Sequence, residues 1–286
     1  MTKGFHIVAG LPRSGSTLLC NLLNMNPSFH ASSTSSLLSL IKSQHKTFSH
    51  SDTAKAENRL ELQPRLAKAQ KAFIESYCDY GKVYFDKNRD WPSFISQLDY
   101  ILNNTDTKII WCYRHPLDII ASMENTHQKT ILLEYTDDLV KNDAMNTLSK
   151  RVNTWIQDEG IISRSVNYLQ DAIEQGYSDR IAIIRYSDIY TDPQLTLDTI
   201  HSFIGKSYYN YSNKDFKDLI QTTEEADTLY NYKYPHKIKE GVINPPKPRS
   251  LPDTYTEEIV NQYKWIIDHC KEEPEINKVS NQLIQL

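Results

Sequence analysis

With 286 residues and a net charge of −4, the chain is long enough to bury one substantial core. Its 32 Lys+Arg against 36 Asp+Glu leave no basic surplus for a nucleic-acid tail, so any cationic site must be local. No stretch approaches the roughly 20 apolar residues of a membrane span. The first apolar run begins at Phe5, which leaves no room for a signal peptide, and a cytoplasmic location is expected. Cys20, Cys78, Cys112 and Cys270 lie far apart without CxxC or Cys/His spacing, so they read as reduced core thiols and no metal site is expected.

The first predicted element is a buried strand, Phe5-His6-Ile7-Val8-Ala9, followed by the turn Gly10-Leu-Pro-Arg-Ser-Gly15-Ser16-Thr17. Leu18, Leu19, Leu22 and Leu23 then recur at helical spacing. The Ser/Thr run 31–36 with Leu37, Leu38, Leu40 and Ile41 reads as a short helix or lid, and Ser43 to Lys55 as a mobile loop. Residues 56–77 have helical periodicity, with Pro64 a potential break. Val83-Tyr84-Phe85 predicts a strand ending at Asp86-Lys87-Asn88-Arg89, and a helix is expected from Trp91 to Leu102. Lys108 to Tyr113 predicts a second strong strand, with Pro116 in the first turn of the helix after it.

Residues 136–175 read as helical in one or two pieces, and Ile181 to Ile184 as another strand. Helices follow at Pro193 to Ile204 and near 214–222, then a Pro-rich irregular segment from Tyr234 to Pro252 and a closing helix from Thr254 to about His269. Strands alternating with helices imply one α/β domain over 1–286, three layers deep, with a central parallel sheet flanked by helices. Ligands on such sheets bind at the carboxyl ends of the strands.

The turn at 10–17 carries the chemistry. A glycine-rich loop between a strand and a helix N-terminus aims backbone N–H groups and the positive end of the helix dipole at one point. The spacing is that of a P-loop, G-x-x-x-x-G-K-[ST], except that Ser16 stands at the lysine position and the cation has moved to Arg13. Without that lysine, nucleoside triphosphate hydrolysis is poorly supported. Arg13, Ser14, Gly15, Ser16 and Thr17 suit a monophosphate whose bridging oxygen gains charge as a group leaves. At the end of the second strong strand, Arg114 and Ser122, eight positions on, can hold a second phosphate, with Arg114 bidentate.

On these residues the chain resembles the sulfotransferases that use 3′-phosphoadenosine-5′-phosphosulfate. Pro12-Arg13-Ser14-Gly15-Ser16-Thr17 is similar to their 5′-phosphosulfate loop, and Arg114 with Ser122 to their 3′-phosphate pair. Ile184-Arg185-Tyr186-Ser187-Asp188 is similar to their strand-end segment, whose tyrosine approaches the nucleotide. Pro-Arg-Ser-Gly together with Asp86-Lys87 resembles the tyrosylprotein and carbohydrate branches more than the small-phenol branch.

The resemblance covers about 4–25, 82–127 and 181–206 and fades through 31–80 and 128–180, the segments expected to shape the acceptor cleft. It implies the P-loop-like sulfotransferase fold, the phosphosulfate as donor and 3′,5′-adenosine bisphosphate as product. The acceptor would be a small-molecule, carbohydrate or peptide hydroxyl, less readily an amine. Lys87 matches the family's second cation near the transferring sulfonate; its alternative is a solvated strand-end lysine. Tyr186 would lie against the nucleotide, or merely cap a strand end. Lys237 and Lys239 match a C-terminal segment that closes the pocket, or form a solvated charge run.

A general base is the missing piece. Relatives place a glutamate after the first helix, where this chain reads Ala31-Ser32-Ser33-Thr34-Ser35-Ser36. Substitutes are His30, Asp86, or Glu124 and His127, which lie three apart on one helical face. Two rivals stand beside this reading. A P-loop small-molecule kinase would need a lysine at position 16 and a carboxylate for magnesium. A nucleotide-binding module without catalysis fits the serine-rich gap.

Overall fold

The computed structural model describes residues 4–57, 59–78, 81–129, 147–211, 216–223, 238, 240–241, 243, 245, 250–252, 255–274 and 277–279. Strand β1 (Gly4–Gly10) is buried on both faces from Phe5 onward, the signature of an inner strand of a parallel sheet. Helix α1 (Ser16–Leu23) buries Leu19, Cys20, Leu22 and Leu23. After it come β2 (Phe29–Thr34), α2 (Leu37–His50), α3 (Asp52–Ala56), α4 (Arg59–Tyr77) and β3 (Val83–Lys87). A 3₁₀ turn at Trp91–Phe94 leads into α5 (Ile95–Leu102), β4 (Ile109–Tyr113) and α6 (Pro116–Lys129).

The chain continues through α7 (Leu148–Ile156), α8 (Ile161–Glu174), β5 (Ile181–Arg185), α9 (Tyr186–Thr191) and α10 (Pro193–Phe203). Beyond these lie β6 (Ser250–Pro252), α11 (Thr256–Gln262), α12 (Lys264–Cys270) and β7 (Asn277–Val279), with β6 and β7 paired in parallel.

The main sheet is parallel, in the order β2-β3-β1-β4-β5. On one face, Ile7, Tyr84, Ile109 and Trp111 pack with Leu98 of α5, Ile120 of α6, Trp155 of α7 and Leu169 of α8. On the other, Val8, Phe85, Ile110 and Ile184 pack with Leu19 of α1, Ile189 of α9 and Leu197 of α10. The layers are those the alternation of strands and helices implies. β3 and β4 flank β1 on opposite sides, so the loops after β1 and β4 border a crevice at the carboxyl edge, where ligands of such sheets bind.

The structure corrects several local expectations and adds one element. The Ser/Thr run is the end of strand β2, which hides in sequence because only Phe29 and Ala31 of its six residues are buried. Residues 43–55 are largely helical, in α2 and α3; their polarity reflects an exposed face, while Leu37, Leu38 and Ile41 anchor α2. Tyr186 to Thr191 is the short helix α9, starting directly at the end of β5. The closing helix is split at Tyr263 into α11 and α12, and β6 lies within the Pro-rich stretch. Pro64 sits inside α4 without ending it.

Candidate active site

The loop after β1 is shaped by positions where side chains do not fit. Gly10 has φ 128, and a Cβ there would stand 2.2 Å from the Cys112 carbonyl oxygen. The Leu11 N–H donates to that same carbonyl at 3.0 Å, fastening the loop to β4. Ser14, wholly buried, donates from Oγ to the Leu11 carbonyl at 2.6 Å and closes the turn. Arg13 and Gly15 both adopt left-handed conformations, φ 59 and φ 86. Gly15 is the N-cap of α1 and offers no side chain to the first N–H groups of the helix, so the amides of its first turn face the loop uncapped by it.

Other strand ends bring side chains to this loop. Tyr186, at the start of α9, packs its ring where a Gly15 side chain would be: a Cβ there would lie 2.5 Å from Tyr186 Cδ2. The Arg114 guanidinium stands 4.9 Å from the centre of that ring, and its terminal nitrogen donates to the Arg13 carbonyl at 3.4 Å. Arg13 Nε in turn reaches Ser122 Oγ of α6 at 3.4 Å. Lys87, at the end of β3, is only 8% exposed and donates from Nζ to Thr17 Oγ1 at 3.1 Å. It is therefore not a solvated strand-end lysine; it brings a cation back to the loop whose own lysine position holds Ser16.

Arg13, Ser14, Gly15, Ser16, Thr17, Lys87, Arg114, Ser122 and Tyr186 thus form one continuous group at the carboxyl ends of β1, β3, β4 and β5. Its side-chain and amide donors point to the chemistry of an anion. Lys237 and Lys239 lie outside the described residues. Their neighbours are tied down: the Ile238 N–H donates to Gln221 Oε1 at 2.9 Å and the Gly241 N–H to the Leu219 carbonyl at 2.8 Å.

Sequence reasoning missed two supports of this site. Asn21 of α1 donates from Nδ2 to the Thr17 carbonyl and to Thr223 Oγ1, both at 2.8 Å, and its Oδ1 accepts from the Thr222 and Thr223 amides. It thereby ties α1 to the distant 219–223 segment. The serine-rich run holds the Lys87 backbone from both sides. Ser32 Oγ accepts the Lys87 N–H at 2.9 Å, and the Lys87 carbonyl accepts the Ser35 N–H at 3.0 Å. The sequence signals were an asparagine one helical turn after Thr17 and hydroxyls clustered at an edge-strand end.

The candidate bases occupy different environments. Glu124 is buried in α6 and accepts two bonds from Arg151 of α7, at 2.7 and 2.6 Å, and one from Gln128 at 2.8 Å. Burial pushes its pKa up, but the Arg151 and Gln128 hydrogen bonds and the Arg151 charge outweigh that and hold it below the usual range. His127 is 7% exposed on the same face, and His30 stacks on Tyr84 with ring centres 5.2 Å apart. Asp86 is wholly buried and accepts from Trp91 Nε1 at 2.6 Å. Burial pushes its carboxyl up to about 6, against the pull of hydrogen bonds from Ser35 and Trp91. Among the described residues no three or more His, Cys, Asp or Glu are grouped to hold a metal ion, and no helix is long and apolar enough to cross a membrane.

The family profile described as Sulfotransferase domain matches residues 5–238. No curated protein matches the chain. Among solved structures, the sulfotransferase domain from the curacin biosynthetic pathway is similar, with TM-score 0.54 and 19% identity over 92% of this chain and 98% of that one. So is the sulfotransferase domain of the Synechococcus PCC 7002 olefin synthase, with TM-score 0.55 and 19% identity over 93% and 94%. A sulfotransferase from Mycobacterium avium gives TM-score 0.51 and 15% identity over 96% and 79%. These likenesses fix the fold, and the profile match favours sulfonate transfer over the kinase and inactive-module readings. The chain belongs to the sulfotransferase family, enzymes that transfer sulfonate groups.

Proposed function

We propose that this enzyme takes its sulfonate from 3′-phosphoadenosine-5′-phosphosulfate and delivers it to a hydroxyl. The observation that carries the reading is the chain of contacts Arg114 to the Arg13 carbonyl, Arg13 to Ser122, and Lys87 to Thr17, which joins two expected phosphate sites into one surface. Ser14 to Thr17 would hold the 5′-phosphate, Arg114 and Ser122 the 3′-phosphate, and Tyr186 would lie against the nucleotide. Lys237 and Lys239 are proposed to close over it.

The donor supplies a sulfonate on a phosphate leaving group; the protein's task is to stabilise charge and move a proton. Arg13, Lys87 and the first amides of α1 place positive charge where a leaving phosphate oxygen gains negative charge, an effect typically worth ~3 kcal/mol per preorganised donor. Arginine and lysine can supply that countercharge without a metal. Asp86 is the proposed base for the acceptor hydroxyl: its second oxygen is buried without a hydrogen-bond partner among the described residues, and a pKa of about 6 leaves it ionised at neutral pH while still basic enough to take a proton. Glu124 would first have to leave Arg151, and His127 is the remaining alternative on that helix.

The acceptor is proposed to enter on the Asp86 face, where parts of the two variable segments meet. Leu37, Ile41 and Ile74 share one cluster with Val152, Trp155 and Ile162 there. Lys42 of α2 bonds Ser93 Oγ at 3.1 Å and lies 5.8 Å from the Tyr168 ring centre of α8, linking those segments. The Pro-Arg-Ser-Gly and Asp86-Lys87 pairings support a carbohydrate or peptide acceptor. The four cysteines, all buried and free, support a cytoplasmic location, and the one main sheet that gathers strands from Gly4 to Arg185 supports a single domain over 1–286.

The test is thermal stabilisation by adenosine 3′,5′-bisphosphate beside adenosine monophosphate and magnesium-ATP. A ligand at a hundred times its dissociation constant adds about 2.7 kcal/mol, readily seen in a melting curve. Selective stabilisation by the bisphosphate is expected, and Arg114→Ala should remove that selectivity. Stabilisation by magnesium-ATP alone would overturn the donor assignment.

A further inference from the structure

At the opposite, amino end of the sheet a groove of about 640 Å³ runs beneath β1 and β4. It holds a buried donor that the transfer reaction does not use. His6 is 5% exposed, and its Nδ1 accepts the Lys108 backbone N–H at 3.2 Å. In the neutral ring the proton must therefore sit on Nε2. The ring stays neutral because burial, then the charges of Lys206 and Lys108, push its pKa down to about 4. Yet Nε2 is buried without a hydrogen-bond partner among the described residues, and a buried donor left unmade is costly.

The surroundings complete an anion receptor. Gly4 lines the groove, and a Cβ there would lie 3.2 Å from His6 Nε2, so glycine at this position keeps a side chain from crowding that nitrogen. Lys108 Nζ sits over the Phe203 ring at 5.4 Å and touches the Asp179 carbonyl at 3.4 Å. Lys206 follows the end of α10 past Gly205, which turns the chain at φ 65. Both lysines and His6 line the groove, as do the apolar Phe5, Ile74, Leu102 and Ile204. Glu75 and Asp106 also line it and disfavour an anion beside them, which confines a negative head group to the His6 corner.

We propose that this groove binds an organic anion whose carboxylate or phosphate head is held by His6 Nε2–H, Lys108 and Lys206, with its apolar body along Ile74 and Leu102. His6 and Gly10 lie on the same strand, about 13 Å apart at the strand rise, so the groove is separate from the phosphate loop.

The experiment is a histidine-ring ¹⁵N spectrum of the full chain, with the His6 resonance assigned from His6→Gln. The protein is saturated with adenosine 3′,5′-bisphosphate and titrated with benzoate, phenyl phosphate and, as a neutral control, benzyl alcohol. The His6 Nε2–H signal should move and saturate with one of the two anions but not with the alcohol, and the preferred anion identifies the head group. Lys206→Gln, which removes one cation and leaves the His6 ring in the chain, should weaken that binding about tenfold, or 1.4 kcal/mol. An unmoved His6 signal, an equal response to benzyl alcohol, or an affinity unchanged by Lys206→Gln would overturn the proposal. The His6 resonance reports its own end of the sheet whether or not the bisphosphate binds, so its failure is distinct from failure of the nucleotide assignment.

Discussion

Two regions of this enzyme hold cations in different ways. Beside the sheet, Arg151 is clamped by both oxygens of Glu124, and Arg180 by both oxygens of Asp99, at 2.5 and 2.8 Å. At the carboxyl edge, Arg13, Lys87 and Arg114 donate to a hydroxyl, a hydroxyl and a carbonyl. A bidentate carboxylate occupies the guanidinium fork and cancels its charge. A hydroxyl or carbonyl fixes the side chain without cancelling charge. The first arrangement ties the sheet's flanking elements together through paired charges; in the second, the neutral partners hold a cation at the strand ends without themselves neutralising it.

That contrast is most easily broken at Glu124. Truncating one member of a buried pair strands the other, so Glu124→Ala should cost about 3–5 kcal/mol of stability in chemical denaturation. Replacing Glu124 and Arg151 together with methionines should recover most of the loss and leave sulfonate transfer measurable. Transfer that vanishes in the refolded double variant would return Glu124 to the reaction. Lys87→Met should show the opposite pattern. Loss of one preorganised donor predicts kcat lower by about 10²–10³, near 3–4 kcal/mol of barrier, with a comparatively small change in Tm.

Asp86 sharpens the comparison from the acidic side. Its folded pKa is raised from 3.8 to about 6, so the folded state holds a proton that the unfolded chain has lost between those values. Its contribution to stability therefore falls as pH rises from about 4 to 6 and stays low above that. Asp86→Asn removes the buried charge and should gain up to about 3 kcal/mol above pH 6, a gain that disappears near pH 4. The same variant should lose transfer activity. Full activity with the stability gain would exclude Asp86 as the base.

Strands β1, β3, β4 and β5 were legible in sequence because each contains an apolar run and the helices between them carry apolar stripes. The loop after β1 was legible because Gly10, Gly15 and the hydroxyls at 16 and 17 keep the fixed spacing of a strand–loop–helix turn. β2 was not, because Ser32, Ser33 and Thr34 stand where the other edge strand, β5, carries a run of isoleucines. The environment of Glu124 was also hidden. Its proximity to His127 on one helix face is local information, whereas Arg151 comes from a separate helix 27 residues away. The Lys87 contact with Thr17 spans 70 residues, and nothing in either segment alone distinguishes it from a solvated lysine.

The smallest effect lies in the loop itself. Arg13 is the one residue between Gly10 and Gly15 at positive φ, 59, where a side chain costs roughly 1–2 kcal/mol that glycine avoids. Arg13→Ala and Arg13→Gly remove the same cation, so both should lower kcat to a similar degree. Only the glycine variant relieves the backbone, and part of that relief is offset by the greater freedom of glycine in the unfolded chain. The glycine variant should therefore be more stable than the alanine variant by about 1 kcal/mol. Equal melting temperatures would show that the loop leaves the left-handed conformation when the arginine is gone, and that the Arg13–Ser122 contact, rather than the chain path from Gly10, sets its shape. A stability gap with equal loss of rate would show that the strained backbone is kept in order to place the guanidinium.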